Sequence, residues 1–295
     1  MKGLFRKAVA LAAAGAMVSM FALTGCTQGG STAASSNSSA ASESGVQLQI
    51  FAANSLTKAM DEVQALYTEQ TGITFADTQY EGSGTLVEML GGGAYADILI
   101  TASNGTMDAA EEKGYINDDT RFDMFTNELV IVSALDSTLE DVTLEDIASG
   151  TYTLAVGDAN VPAGNYAKQS LSTTTPPCWI SSDGAIGKEC AGTDGTFDGT
   201  PLAGKVTEGS SVGNVCNYAN SGDVDLAMVY SSDVYRFGNV KQVGTTPNDT
   251  HKSIIYPAAI CAGSNLTQEA QDFLDWAFTN EDAIKIWQEW GFELA

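Results

Sequence analysis

The sequence predicts an α/β fold with largely parallel sheets, and three observations carry that prediction. From about residue 48 onward, short apolar runs of strand length alternate with longer stretches whose apolar residues recur at helical spacing. The changes from one to the other are marked by Ser, Gly or Pro, residues suited to helix starts and stops. Residues 129–133 form a continuous apolar run, fit for a strand covered on both faces. Alternating strands and helices pack most simply as helices over a mainly parallel sheet.

Taken in order, residues 48–53 read as the first strand. Ser55 then stands as N-cap of a helix with Leu56, Met60, Val63, Leu66 and Tyr67 on one face, stopped by Gly72. A strand over 73–80 follows, and Gly82-Ser83-Gly84 turns the chain into a helix over 85–90. A strand over 97–101 and a helix around 106–113 continue the theme. In the second half, 153–156 is a strand, and Pro162 falls at a first helical position, where its missing N–H costs nothing. That helix runs to about residue 171. Strands are expected over 224–230 and 254–261, and helices over 267–279 and 282–290. Between 172 and 206 the pattern gives way to Thr, Pro, Gly, Ser and Asp, which predicts a surface excursion.

Four separated segments fall at junctions where a strand ends: Ala53-Asn54-Ser55-Leu56, Gly82-Ser83-Gly84-Thr85, Val161-Pro162-Ala163-Gly164 and Met228-Val229-Tyr230. Each offers neutral hydrogen-bond donors, from a hydroxyl or from the N–H groups left free at a helix start. None contains Lys, Arg, His, Asp or Glu. Singly, each has a plain structural reading: Ser55 an N-cap, Ser83 part of a Gly-rich turn, Tyr230 a half-buried strand tyrosine. Ser210-Ser211-Val212 reads as a further capped helix start, leaving the Val212 N–H free. Together they suit a small, fully ionised oxyanion that needs only donors. Phosphate is partly protonated, so its site benefits from an acceptor, which these segments lack.

In order and context the segments resemble the periplasmic molybdate-binding proteins of ABC transporters, from about Leu48 to the C-terminus, with the 172–206 stretch as an insertion. Val161-Pro162-Ala163-Gly164-Asn165-Tyr166 is the most family-specific string. The resemblance implies a two-lobed type II periplasmic-binding-protein fold, with the chain crossing twice between lobes: 46–130 plus 256–295 in one, 131–255 in the other. It also implies ligand contacts at Ser55, Ser83, Ala163, Val212 and Tyr230, with molybdate or tungstate as ligand. Asn54 stands where relatives often have Ala, and Ser210-Ser211 lack the charge relatives often carry beside the valine. No catalysis, no cofactor and no directly bound metal cation are expected; the partner is an ABC permease, and the chain is expected to be a monomer. The alternatives are a binder of another oxyanion such as sulfate, or a ligand-free adhesive lipoprotein. A hydrolase using Ser83 is weaker, because Gly-Ser-Gly-Thr is not a nucleophile elbow and no motif marks His251 as a base.

The N-terminus adds the compartment. Lys2, Arg6 and Lys7 precede an apolar stretch too short for a comfortable membrane span, and Leu23-Thr24-Gly25-Cys26 resembles a lipobox. Residues 1–25 are read as a signal peptide and Cys26 as a lipidated first residue that anchors the chain to the membrane. Residues 26–45 are then a flexible Ser/Ala-rich tether. The chain carries Lys+Arg 13 against Asp+Glu 37, a formal net charge of −24, which argues against nucleic acid. An anion site survives that field if recognition is local, because charges beyond a Debye length are screened. Beyond Cys26 stand Cys178, Cys190, Cys216 and Cys261. Two disulfides in any of three pairings are open to an exported chain. Cys178 and Cys190 are expected to close a local loop, and Cys216 and Cys261 to pair or to serve as small buried hydrophobes.

Overall fold

The structure, a computed structural model, describes residues 45–295. The expected signal peptide, Cys26 and nearly all of the tether lie outside these described residues. The chain first builds β1 (Gln47–Leu48), β2 (Ile50–Ala53), α1 (Thr57–Thr71), β3 (Thr74–Phe75), β4 (Gln79–Glu81), α2 (Ser83–Gly91), β5 (Ile98–Ile100), α3 (Asn104–Glu112) and β6 (Phe122–Asn127). It continues through β7 (Leu129–Ala134), α4 (Leu144–Ala148), β8 (Leu154–Gly157), α5 (Pro162–Ser172), β9 (Ile180–Ser181), β10 (Gly195–Thr196), β11 (Val206–Gly209), α6 (Val212–Asn220), β12 (Leu226–Tyr230), α7 (Ser231–Phe237) and β13 (Val240–Thr245). It closes with β14 (Ile254–Ile260), α8 (Thr267–Thr279), α9 (Glu281–Glu289) and β15 (Glu293–Leu294).

Among the described residues two large mixed sheets result, in the orders β15-β6-β14-β5-β2-β4 and β11-β8-β12-β7-β13, beside the two-stranded pairs β1-β3 and β10-β9. The parallel pairings are β2 with β4 and β5, and β8 with β11 and β12. The antiparallel ones come from the strands at the crossings: β6 and β14 in the first sheet, β7 and β13 in the second. The chain passes between sheets at Glu128, so the expected division at 130/131 falls inside β7, and it returns between β13 and β14. Asn127 ties down the first crossing, its Oδ1 accepting from the Glu128 N–H at 2.8 Å and the Ser231 hydroxyl at 2.9 Å.

Two helix starts differ from the sequence reading. Ser55 is not an N-cap, because Asn54–Leu56 forms a 3-10 turn that delays α1 to Thr57. α2 begins at Ser83, since Gly82 takes the extended N-cap conformation (φ −59°, ψ 137°). Gly72 does stop α1, in the left-handed conformation at φ 78°.

The 172–206 stretch is more than a surface excursion. It packs Trp179 edge-on against Phe197 at 4.7 Å and buries Leu202, Cys178 and Cys190 completely. This cover explains why α5 is buried over nearly its whole length. Lys168 on that helix is 1 % exposed, pairs with Glu208 at 2.6 Å and lies 5.1 Å from the Trp179 ring centre, a cation held by carboxylate and aromatic face together.

The expected Cys178–Cys190 disulfide is corrected: both thiols are free, as are Cys216 and Cys261. The loop is closed by other means. The Cys178 N–H donates to the Leu171 carbonyl at 2.9 Å and to the Thr174 hydroxyl at 3.0 Å, and the Cys190 Sγ accepts from the Gly192 N–H at 3.3 Å. Burial also raises the Cys178 thiol, and buried apolar thiols are inert.

His251 is 2 % exposed, with Nδ1 2.7 Å from the Lys252 carbonyl and its ring edge-on to Tyr166. Burial holds this imidazole below its ordinary 6.5. The unfolded chain therefore takes up a proton at higher pH than the folded chain. His251's contribution to stability is complete above the unfolded value and is lost as pH falls through the window down to the folded one. Melting temperature should thus fall more steeply below about pH 6.5 in the wild type than in His251→Gln. Parallel curves for the two proteins would contradict this.

Candidate functional site

The parallel strands of both sheets aim their carboxyl ends at one crevice, the place where open α/β sheets bind ligands. From the first sheet come Asn54 and Ser55 after β2, Glu81, Gly82 and Ser83 at the end of β4, and Ala102 after β5. From the second come Val161 and Pro162 after β8, Val212 after β11, and Tyr230 ending β12. The centre of a water-sized sphere can move over only about 10 Å³ here, so the resident must be compact.

Hydrogen bonding behind the wall fixes what each hydroxyl can offer. Ser83 Oγ accepts from the Ala102 N–H at 3.0 Å, which leaves its own hydrogen free to donate. Tyr256 OH accepts from Asn127 Nδ2 at 3.4 Å and lies 2.9 Å from Ser55 Oγ. This hydrogen bond between the two hydroxyls holds Ser55 at the wall of the crevice. Tyr230 differs: its hydroxyl donates to the Ala102 carbonyl at 3.3 Å, and must turn from it to serve a ligand. Burial pushes both tyrosines well above the ordinary 10, so neither ionises near neutrality.

The helix starts supply main-chain donors. Ser83, Pro162 and Val212 are the first residues of α2, α5 and α6. First-turn N–H groups have no preceding helical carbonyl, and the helix dipole favours negative charge there. Ser211 caps α6 by accepting from the Asn214 N–H at 3.2 Å, leaving the Val212 N–H at the wall. Four of the five expected contacts thus line the crevice. Ala163 does not: it is fully buried behind Val161 and Pro162, and only its second-position N–H can contribute.

Gly82 and Gly84 flank Ser83 for a reason the sequence reading did not give. A Cβ on Gly82 would lie 3.0 Å from the carbonyls of Asn160 and Ser210, and one on Gly84 2.8 Å from Asn160 Oδ1. The Gly84 N–H donates to the Asn160 carbonyl at 2.9 Å. The glycines admit the backbone of the facing lobe rather than a ligand.

Three wall residues were missed or left undecided. Ala102 follows β5 at the same kind of strand-to-loop junction as the others, and that signal could have found it. Glu81, exposed at the rim, is an acidic neighbour of Gly82. Asn54 is engaged through both side-chain atoms: Nδ2 donates to the Tyr80 carbonyl at 3.2 Å, and Oδ1 accepts from the Gly213 N–H at 3.1 Å and from Arg236 Nη1 at 3.1 Å. Arg236 also donates to the Asn54 carbonyl and pairs with the fully buried Asp233 at 2.8 Å. Burial pushes the Asp233 carboxyl up, against the pull of Arg236. Among the described residues no cluster of His, Cys, Asp and Glu is fit to hold a cation. His251, committed to Lys252, does not line the crevice, so Ser83 has no imidazole base there.

Comparison with known proteins bears on this site. The family described as bacterial extracellular solute-binding proteins matches residues 48–293. The chain is 30 % identical over 254 residues to the molybdate-binding protein ModA of Escherichia coli (strain K12), covering 84 % of this chain and 89 % of the relative. It is 28 % identical over 254 residues to ModA of Haemophilus influenzae, covering 83 % and 89 %. Among solved structures, the Azotobacter vinelandii periplasmic molybdate-binding protein superposes with a TM-score of 0.66 at 18 % identity, over 84 % of this chain and 99 % of that one. At that identity the likeness speaks for the fold.

Proposed function

This chain belongs to the bacterial extracellular solute-binding proteins, and from that premise we propose that it captures molybdate outside the cytoplasm for delivery to an ABC transporter permease. The similarity to ModA proteins supports the ligand and the transporter. One observation carries the reading at the site: Ser83 has its oxygen already engaged from behind by the Ala102 N–H, so that it directs a hydroxyl hydrogen into the crevice, and Ser55 is held at the same wall by its hydrogen bond with Tyr256. The Ser83 donor is set before the ligand arrives and needs no reorganisation to meet it. The first turns of α2, α5 and α6 add main-chain donors and favourable dipoles. A tetrahedral dianion is met by neutral groups at contact distance, while the chain's net negative charge acts only over screened distances.

Tungstate, nearly the same size, is proposed to bind as molybdate does, and sulfate more weakly because its bonds are shorter. We place the ligand contacts at Ser55, Ser83, Val212, Tyr230 and the Ala163 N–H. The chain acts as a monomer held at the membrane through a lipid on Cys26. One specific observation favours a second ligand: Glu81 at the wall is an acceptor that a protonated oxyanion such as hydrogen phosphate would use. A thermal-shift panel on residues 46–295 separates the two. Molybdate and tungstate should raise the melting temperature at micromolar concentration, with sulfate and phosphate far behind. Stabilisation by phosphate above all others would overturn the proposal.

A further inference from the structure

We propose that Arg236 is a positioning residue of the anion site, a clasp that holds the Asn54–Ser55 turn of the first lobe against α6 and α7 of the second. The inference rests on the reading of the crevice as an oxyanion site and goes beyond it, since Arg236 does not line that crevice.

The geometry is as follows. The Arg236 side chain is 7 % exposed and lies against the Asp233 carboxylate at 2.8 Å. One face of its guanidinium stacks over Phe237, the carbon 4.5 Å from the ring centre. Nη1 donates to both the carbonyl and the side-chain oxygen of Asn54. The Asn54 side-chain oxygen also accepts from the Gly213 N–H at the start of α6. Asn54 Nδ2 binds the Tyr80 carbonyl on its own lobe. The side-chain oxygen thus joins the lobes, while the amide nitrogen anchors the side chain to its own lobe.

Three consequences follow. The turn next to Ser55 is braced from the second lobe as well as by Tyr80 of its own lobe, so the clasp steadies the Ser55 donor. Gly213, beside the Val212 donor, donates to the same Asn54 oxygen as Arg236, so two ligand contacts from opposite lobes share one clasp. The Asp233 partner offsets the arginine's charge, so the pair contributes direction rather than net attraction for an anion. A clasp that favours the closed form holds a ligand already inside, and its loss appears in the dissociation rate.

Arg236→Lys keeps a cation beside the buried Asp233, which a neutral substitute would strand. A lysine ammonium cannot span Asp233 and both Asn54 oxygens as the planar fork does. Molybdate should dissociate about tenfold faster from Arg236→Lys and from Asn54→Ala, with association little changed. The double variant should lose less than the sum of the two single ones, because both remove the contact between Arg236 and the Asn54 side chain. Additive effects, or an unchanged dissociation rate, would overturn the clasp.

A ligand-free readout separates this inference from the functional reading. The Gly213 amide should exchange hydrogen faster in Arg236→Lys than in the wild type without any anion present. Should the wild type bind no molybdate, the functional reading falls, and this comparison alone decides the clasp: faster exchange upholds it and unchanged exchange overturns it.

Discussion

Replacing Ser83 by Ala is expected to lower molybdate affinity by roughly ten- to a hundredfold, the equivalent of about 1.5–3 kcal/mol for a hydrogen bond to a charged group. The residue is 1 % exposed and its hydroxyl does two things at once. It accepts the Ala102 N–H at 3.0 Å and so presents its own hydrogen to the crevice. The alanine variant therefore loses a donor to the ligand and also leaves a buried N–H without a partner, so a fall in stability of about 1–3 kcal/mol should accompany the weaker binding. Titration calorimetry and chemical denaturation on the same preparation measure the two separately. Tyr230→Phe should cost less affinity, because the Tyr230 hydroxyl must give up its bond to the Ala102 carbonyl before it can serve an anion. Equal losses in the two variants would contradict the assignment of Ser83 as the better-prepared donor.

The largest loss of stability is expected from Gly164→Ala. A Cβ at this position would lie 2.0 Å from the Gly157 carbonyl oxygen and 2.5 Å from the Gly157 Cα. Both are backbone of β8, which has no rotamer with which to yield. Gly157 is tight from the other side as well, since a Cβ there would fall 2.5 Å from Val161 Cγ1. α5 is therefore seated on the end of β8 by two glycines in contact, and that seating puts Pro162 at the wall of the crevice. Overpacking of this kind costs about 1–3 kcal/mol where side chains can adjust, and rigid backbone puts this site at about 3 kcal/mol or above. The midpoint in denaturant should drop accordingly, with molybdate binding lost in whatever fraction still folds. A variant of wild-type stability would show that α5 can lift off β8 freely.

These two residues also show how much of the site is legible in the sequence. The Val161-Pro162-Ala163-Gly164 string placed a helix start correctly, because proline at a first helical position is a local signal. Why its glycine is needed was not legible, since the answer lies in Gly157 on another element. The same division runs through the site. Ser55, Ser83, Val212 and Tyr230, expected as contacts through the family resemblance, line the crevice, and for Ser55, Ser83 and Tyr230 the strand ends that carry them are visible in hydrophobic pattern. The glycines flanking Ser83 are legible as a turn, whereas their second task, admitting the Asn160 and Ser210 backbone, is not. Arg236 and Asp233 were invisible as site-related residues, because an ion pair acting across the crevice leaves no local sequence signal. The disulfide expectation failed for the reverse reason. An even cysteine count in an exported chain suggested a bond, while the loop closes through Leu171, Thr174 and the Trp179–Phe197 contact.

The central claim is selective capture of molybdate by preset neutral donors, and one measurement tests it most directly. Wild-type protein from residue 46 onward, stripped of anions, is titrated calorimetrically with molybdate, sulfate and phosphate, each alone and then with molybdate added to the sulfate- or phosphate-loaded protein. The account predicts one molybdate per chain, undiminished by an excess of sulfate or phosphate. Sulfate or phosphate binding as tightly as molybdate, or blocking it at comparable concentration, would contradict it.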